Sequence, residues 1–129
     1  MGEKRASRRF APKLVAAIRD GKILGIRAGM APHRVIGIWA VVVEGRVFVR
    51  SWTRKPRSWW RTFLEDPRGV IAVSGRVVPV RAVQTRSERL KDAVDQAYLD
   101  KYDTPGSIRY ARDLGRAKSR GTTTELVPR

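Results

Sequence analysis

Residues 35–49 read VIGIWAVVVEGRVFV, and this stretch decides the fold. Val35, Ile36, Ile38, Trp39, Val41, Val42 and Val43 form a β-branched and aromatic run up to Glu44-Gly45, and Val47, Phe48 and Val49 resume it. An acidic-Gly pair between two apolar runs predicts a hairpin, with Gly45 supplying the positive φ. Both faces of the first strand are apolar, so both must be covered. One face can point into a barrel. The other needs a helix or a second subunit.

Upstream, Ile23 to Arg27 reads as a strand broken by Gly29 and Pro32. Before it, Pro12 suits a first helical turn, Leu14, Val15 and Ile18 make a stripe, and Gly21 suits the C-cap. Downstream, Ser58 stands where an N-cap belongs, ahead of Trp59, Trp60, Phe63 and Leu64 on one stripe, and Pro67 ends that helix. Val70 to Ser74 and Val77 to Gln84 form a second hairpin across Gly75-Arg76, with Pro79 demoting its strand to an edge or a bulge. Ser87 caps a further helix with Leu90, Ala93, Val94, Ala97 and Tyr98 inward and Asp92, Asp95 and Gln96 outward. Thr104-Pro105 opens a shorter helix through Ile108, Ala111 and Leu114. Thr122 to Val127 is a closing strand. The order predicts an α+β fold, mainly β, whose six short antiparallel strands close into a small barrel with flanking helices.

The length of 129 residues fits one domain. Zero cysteines exclude disulfides, thiolate nucleophiles and zinc ribbons, and the single histidine, His33, leaves no set of soft metal ligands. No apolar run reaches the roughly 20 residues that span a bilayer, and no signal-peptide core follows the basic start, which points to a soluble cytoplasmic domain. Charge is uneven. The chain carries 28 Lys and Arg against 12 acids, a net +16. Residues 1–37 hold nine basic and two acidic side chains, 38–87 ten and three, and 88–129 nine and seven. A polyanion or phosphate should therefore dock on the first two thirds.

The catalytic inventory is thin. A Ser–His–acid triad would have to use His33, no Gly-x-Ser-x-Gly turn holds a serine, and no Gly-rich phosphate loop occurs. Glu88, Asp92, Asp95 and Asp100 are spaced for the solvated face of one helix. No catalytic residue can be assigned, and a cofactor would have to bring any redox chemistry.

One constellation stands out, running from Arg50 through Ser51, Trp52, Arg54, Lys55, Arg57, Ser58 and Trp59 to Arg61. It starts at a strand end and closes at a helix N-terminus, whose unpaired N–H groups suit a phosphate. Arg50 and Arg61 would hold that phosphate, with Trp52 or Trp59 against a planar ring. The plainer reading makes the tryptophans core and the arginines solvated. A third reading makes Trp52, Trp59 and Trp60 among arginines a stacking platform for a nucleic acid.

At this cluster the chain resembles the pyridoxamine-phosphate-oxidase-like split barrels. The likeness is carried by Ile38-Trp39, Val41-Val42-Val43-Glu44-Gly45, Val47-Phe48-Val49-Arg50-Ser51, Ser58-Trp59-Trp60-Arg61, Asp66-Pro67-Arg68 and the ending Thr122 to Pro128. Within that superfamily it is most similar to a bacterial family related to the deazaflavin-dependent nitroreductases, over most of residues 22–128. Met1 to Arg9, with Lys4, Arg5, Arg8 and Arg9 and only Phe10 as an anchor, reads as a basic flexible tail at 1–10 ahead of one domain over 11–129. The resemblance implies that this domain is a six-stranded split barrel, and a homodimer with FMN or a deazaflavin coenzyme at its interface. It implies an oxidoreductase, with the phosphate on Arg50, Ser51, Ser58, Trp59 and Arg61 and the ring near Trp52 or Trp59. The departures are that Ser58 stands where the deazaflavin enzymes tend to carry a lysine, and Thr62 where they carry an asparagine. A cofactor-free dimeric barrel with a structural or small-ligand role, and a basic nucleic-acid-binding module, are the alternatives.

Overall fold

The computed structural model describes residues 9–129; the basic tail expected at the N-terminus lies outside them except for Arg9 and Phe10. Those two are anchored. Arg9 donates to the Glu44 carbonyl at 2.8 Å, and Phe10 is buried in the core.

Helix α1 (Pro12–Asp20) carries Pro12 in its first turn and buries Leu14 and Ile18. Its C-cap Gly21 is extended rather than left-handed (φ −80°), because the chain runs straight on into a strand. Strands β1 (Leu24–Ala28), β2 (Ile36–Ile38), β3 (Ala40–Val43) and β4 (Arg46–Val49) follow. Helix α2 (Trp59–Glu65) precedes β5 (Arg68–Val73) and β6 (Arg76–Gln84). Helices α3 (Glu88–Lys101), α4 (Ile108–Asp113) and α5 (Ala117–Arg120) lead to β7 (Thr124–Pro128).

The described residues form a mainly antiparallel, nearly closed barrel of seven strands in the order β2-β1-β5-β6-β7-β4-β3. The expectation of six is corrected by one residue. The apolar run from Val35 to Val43 breaks at Trp39, so it enters the sheet at one end as β2 and at the other as β3. A single continuous strand could not pair with β1 and β4 on opposite sides of a barrel this small without bending.

Both hairpins turn on a pair of left-handed residues, Glu44-Gly45 (φ 55° and 73°) and Ser74-Gly75 (φ 50° and 72°). That is the type I′ signature, which matches the right-handed twist of the strands. The second turn is therefore Ser74-Gly75 and not Gly75-Arg76. Pro79 is neither on an edge nor in a bulge. It sits opposite Val70 in an unbroken β5–β6 register, one residue past the last β6–β7 pair, Val80 with Pro128. Its missing N–H falls where β7 is already ending. Helix α4 begins later than expected, at Ile108. Thr104 instead accepts the N–H groups of Ser107 and Ile108 in a preceding turn, which leaves Pro105 outside the helix.

Two cores hold the molecule. Inside the barrel lie Leu24, Ile26, Ile38, Val47, Val49, Ile71, Val80 and Leu126 with Phe10, Leu14 and Phe63. Outside it, Val41 and Phe48 on β3 and β4 pack against Leu90, Val94, Tyr98, Ala111 and Leu114 of α3 and α4. The second apolar face of the 35–49 stretch is thus covered by the chain's own helices. Val41 and Phe48 are 1% and 0% exposed, and each such burial stabilises by about 1.5–3 kcal/mol. No helix among the described residues is long and apolar enough to cross a membrane.

Candidate functional site

The six residues proposed from the sequence to bind the coenzyme do not converge. Arg50 turns inward from the end of β4, its side chain fully buried. Its guanidinium donates to Asp95 Oδ1 (2.5 Å), Thr123 Oγ1 (2.8 Å), the Leu114 carbonyl (3.0 Å) and the Lys91 carbonyl (2.9 Å). Four of its five N–H donors are spent inside the protein, so it offers nothing to a surface phosphate. Its backbone N–H is taken too, by the Tyr98 hydroxyl at 3.1 Å.

Arg50 is the hub of a charge chain along α3. Asp95, expected on the outer face, bridges Arg50 and Arg120, whose Nη1 lies 2.6 Å from Asp95 Oδ2. Arg120 also holds Glu88 and Asp92, each at 2.9 Å. The helical acids that read as a solvated row therefore bind α5 to α3.

Ser51 is buried, its hydroxyl donating to the Thr53 carbonyl at 2.6 Å and its N–H to Thr122 Oγ1 at 2.9 Å. Trp52 packs edge-on against Trp39 at 5.3 Å. Ser58 is the N-cap the sequence predicted, accepting the Arg61 N–H at 3.2 Å. Arg61 donates to the Arg54 carbonyl (2.7 Å), and both guanidinium groups lie about 5.5 Å from the Trp60 ring. Trp60 is buried and donates to Gln84 Oε1 at 2.8 Å. The three tryptophans face three different surroundings and form no common stacking platform. Of the expected stripe, Trp60 and Phe63 are buried, whereas Leu64 is exposed.

Trp59 reaches a cleft in which it meets different arginines. A cleft of about 230 Å³ is lined by Ile26, Arg27, Ala28, His33, Arg34, Ile36, Arg57, Trp59 and Thr62. Three arginines line it and no acidic residue does. Arg27 projects from the outer face of β1, since Ile26 and Ala28 on either side are core residues. Its Nε is buried and has no hydrogen-bond partner among the described residues. Gly29, at φ +77°, lets β1 turn away beneath α2: a Cβ there would lie 2.9 Å from Thr62 Cγ2. His33 is exposed at the rim.

Arg27 and Arg34 went unnoticed in the sequence although a signal was present. They flank the Gly29–Pro32 break, and two neighbouring antiparallel strands must bring the residues flanking their connection together. The observed register, Ile26 with Ile36, does so.

A family model described as an uncharacterised protein conserved in bacteria, DUF2255, matches residues 13–126. The chain belongs to this family. Among solved structures it is similar to the conserved hypothetical protein Rv2991 from Mycobacterium tuberculosis, with a TM-score of 0.56 and 12% identity over 95% of this chain and 82% of that one. At that identity the likeness concerns the fold. No curated protein matches the chain.

Proposed function

We propose that this family member binds FMN or a deazaflavin coenzyme by its phosphate end in the Arg27–Arg34–Arg57 cleft, as a homodimer, and acts as an oxidoreductase. The observation that carries the reading is the acid-free cleft with three arginines, one holding an unpartnered buried Nε, beside the half-buried Trp59. A buried donor without a partner costs about 1–3 kcal/mol, and an oxyanion would recover that. Planar guanidinium groups bind phosphate in bidentate fashion, which suits this end of the coenzyme to the cleft. Arg50 takes no part, and Ser58 contributes by capping the helix that carries Trp59.

The cleft is smaller than the roughly 300–1,000 Å³ of ordinary small-molecule pockets, so one subunit has room for a phosphate and part of its chain but not for a tricyclic ring. A second copy would supply the remaining wall. The uncovered outer face beside the cleft supports this. Gly37, Gly25, Ala72 and Val77 form one flat row across four strands. Ile23 and Val35 lie over the two glycines, and Ile23, Val35 and Val77 are all exposed. When bound, the coenzyme supplies hydride transfer; the chain orients it and shields it from water.

The test is a fluorescence titration of the purified protein with FMN, with the deazaflavin coenzyme and with riboflavin, alongside its mass in solution. Saturable binding of a phosphorylated coenzyme, weakened at least tenfold by Arg27→Ala combined with Arg57→Ala, is expected, since each charged contact is worth about 1.5–3 kcal/mol. Equal affinity for riboflavin, or no binding at micromolar concentration, refutes the reading.

A further inference from the structure

A second recessed site lies apart from this cleft and shares no lining residue with it. Trp39, Trp52, Tyr110 and Asp113 line an open recess of about 370 Å³. They come from the β2–β3 junction, the segment after β4, and helix α4. We propose that this aromatic box binds an alkylammonium head group, of the trimethylammonium type.

The walls are held in place before any ligand arrives. Trp39 stacks on Tyr102 with ring centroids 3.9 Å apart and planes 1° from parallel, and Trp52 meets Trp39 at 69°. The Tyr98 hydroxyl donates to the Trp39 carbonyl (2.8 Å), and the Tyr102 hydroxyl donates to the Lys22 carbonyl (2.6 Å). Ala111 and Leu114, both buried, fix the helix that carries Tyr110 and Asp113. Little conformational freedom remains to be lost when the box fills.

Two indole rings at 69° beside a tyrosine, with one carboxylate in the lining, suit a cation without hydrogen-bond donors. The ring faces attract positive charge, and the methyl groups bury apolar surface. The protein's own cations already use these rings. The Arg109 guanidinium lies 4.9 Å from the Tyr110 centroid, and behind the recess Lys101 Nζ lies 5.3 Å from that of Tyr102, on which Trp39 stacks. Asp113 is the only acid in the lining, and Arg116 meets it 3.4 Å away through a side chain that is 80% exposed. An exposed pair of this kind is weak and can be displaced. The chain's net positive charge opposes a cation at long range, but salt screens that repulsion beyond about 8 Å at physiological ionic strength. Recognition here depends on contact.

The experiment titrates the full chain, without coenzyme, with choline and with a short trimethyl-lysine peptide. It follows the indole N–H signals of the four tryptophans by NMR. The neutral tert-butyl analogue of choline, 3,3-dimethylbutanol, is the control. Saturable shifts confined to Trp39 and Trp52, with Trp59 and Trp60 unmoved, are expected for a cation and at least tenfold weaker for the alcohol. Tyr110→Ala should weaken binding about two- to fivefold, the size of one exposed cation–π contact. Arg116→Ala, which frees Asp113, should tighten it. Both positions are exposed, and circular dichroism checks that the fold persists. Tighter binding of choline than of the peptide assigns a small-molecule source, and the reverse assigns a methylated protein segment. Equal binding of the neutral alcohol, no binding at millimolar concentration, or weaker binding by Arg116→Ala overturns the proposal. None of these outcomes bears on the arginine cleft.

Discussion

Replacing Arg50 by alanine discriminates most sharply between the sequence reading and the structure. A surface phosphate ligand could be removed with little effect on stability. The buried residue seen here could not. Its loss removes four hydrogen bonds, one of them the 2.5 Å pair to Asp95, and opens a void where a long side chain stood with no solvent contact. Asp95 keeps Arg120 and Thr123 keeps the Arg120 carbonyl, but the Leu114 carbonyl loses its guanidinium donor. A charged hydrogen bond is worth about 1.5–3 kcal/mol and a buried carbonyl left without a donor costs about 1–3 kcal/mol, so the loss is about 3–5 kcal/mol. The total stability of a single domain is about 5–15 kcal/mol, so Arg50→Ala should lower Tm by about 10–20 °C. Urea unfolding followed by circular dichroism, with Asp95→Ala and the double variant completing a cycle, measures the loss and the coupling. The two single losses should be strongly non-additive. A loss below about 1 kcal/mol, with coenzyme affinity abolished, would refute the structural role and restore Arg50 as a phosphate ligand.

Three further perturbations test local claims. Ser58→Ala should cost about 0.5–2 kcal/mol in urea unfolding through loss of the cap on the Arg61 N–H, and Ser58→Asp should recover most of it. Ser74→Asn should stabilise the second hairpin by up to about 1 kcal/mol, because asparagine tolerates the left-handed conformation that Ser74 adopts at φ 50°. Lys101 donates to the Ile18 and Ala40 carbonyls, and burial pushes its amine down to about 8 despite the nearby Asp20. The cost of burying the charged amine is then present in full below pH 8. It fades as pH rises toward the unfolded value of 10.5, where the folded lysine has already lost its proton. Relative to Lys101→Met, the native chain should therefore gain stability between pH 8 and 10; a flat difference across denaturant melts in that range would contradict the shift.

Much of the barrel is legible in the residue pattern. The Glu44-Gly45 turn, the Ser58 and Ser87 caps and the alternating burial around Val80 and Ala82 in β6 are local, set by φ preference, side-chain capping and two-residue periodicity. The break at Trp39 is not local. Nothing in an unbroken apolar run says that its halves pair with strands on opposite sides of a barrel; only closure requires it. The short helix Ala117–Arg120 was missed for a similar reason, as its place depends on Arg120 reaching Glu88, Asp92 and Asp95.

The same division applies to the site. The sequence alone determined that the positive excess lies in the first two thirds, that no cysteine or histidine set could hold a metal, and that Trp59 stands in a helix's first turn behind a serine cap. The tertiary structure decided where each guanidinium points. A strand end sends alternate residues to opposite faces, and Arg50 fell on the face that α3 covers, where only internal acceptors exist to satisfy it. Arg27 fell on the uncovered face, with Arg34 brought beside it by strand pairing and Arg57 by the approach of α2. Charge is a property of composition, but which charges meet depends on long-range packing.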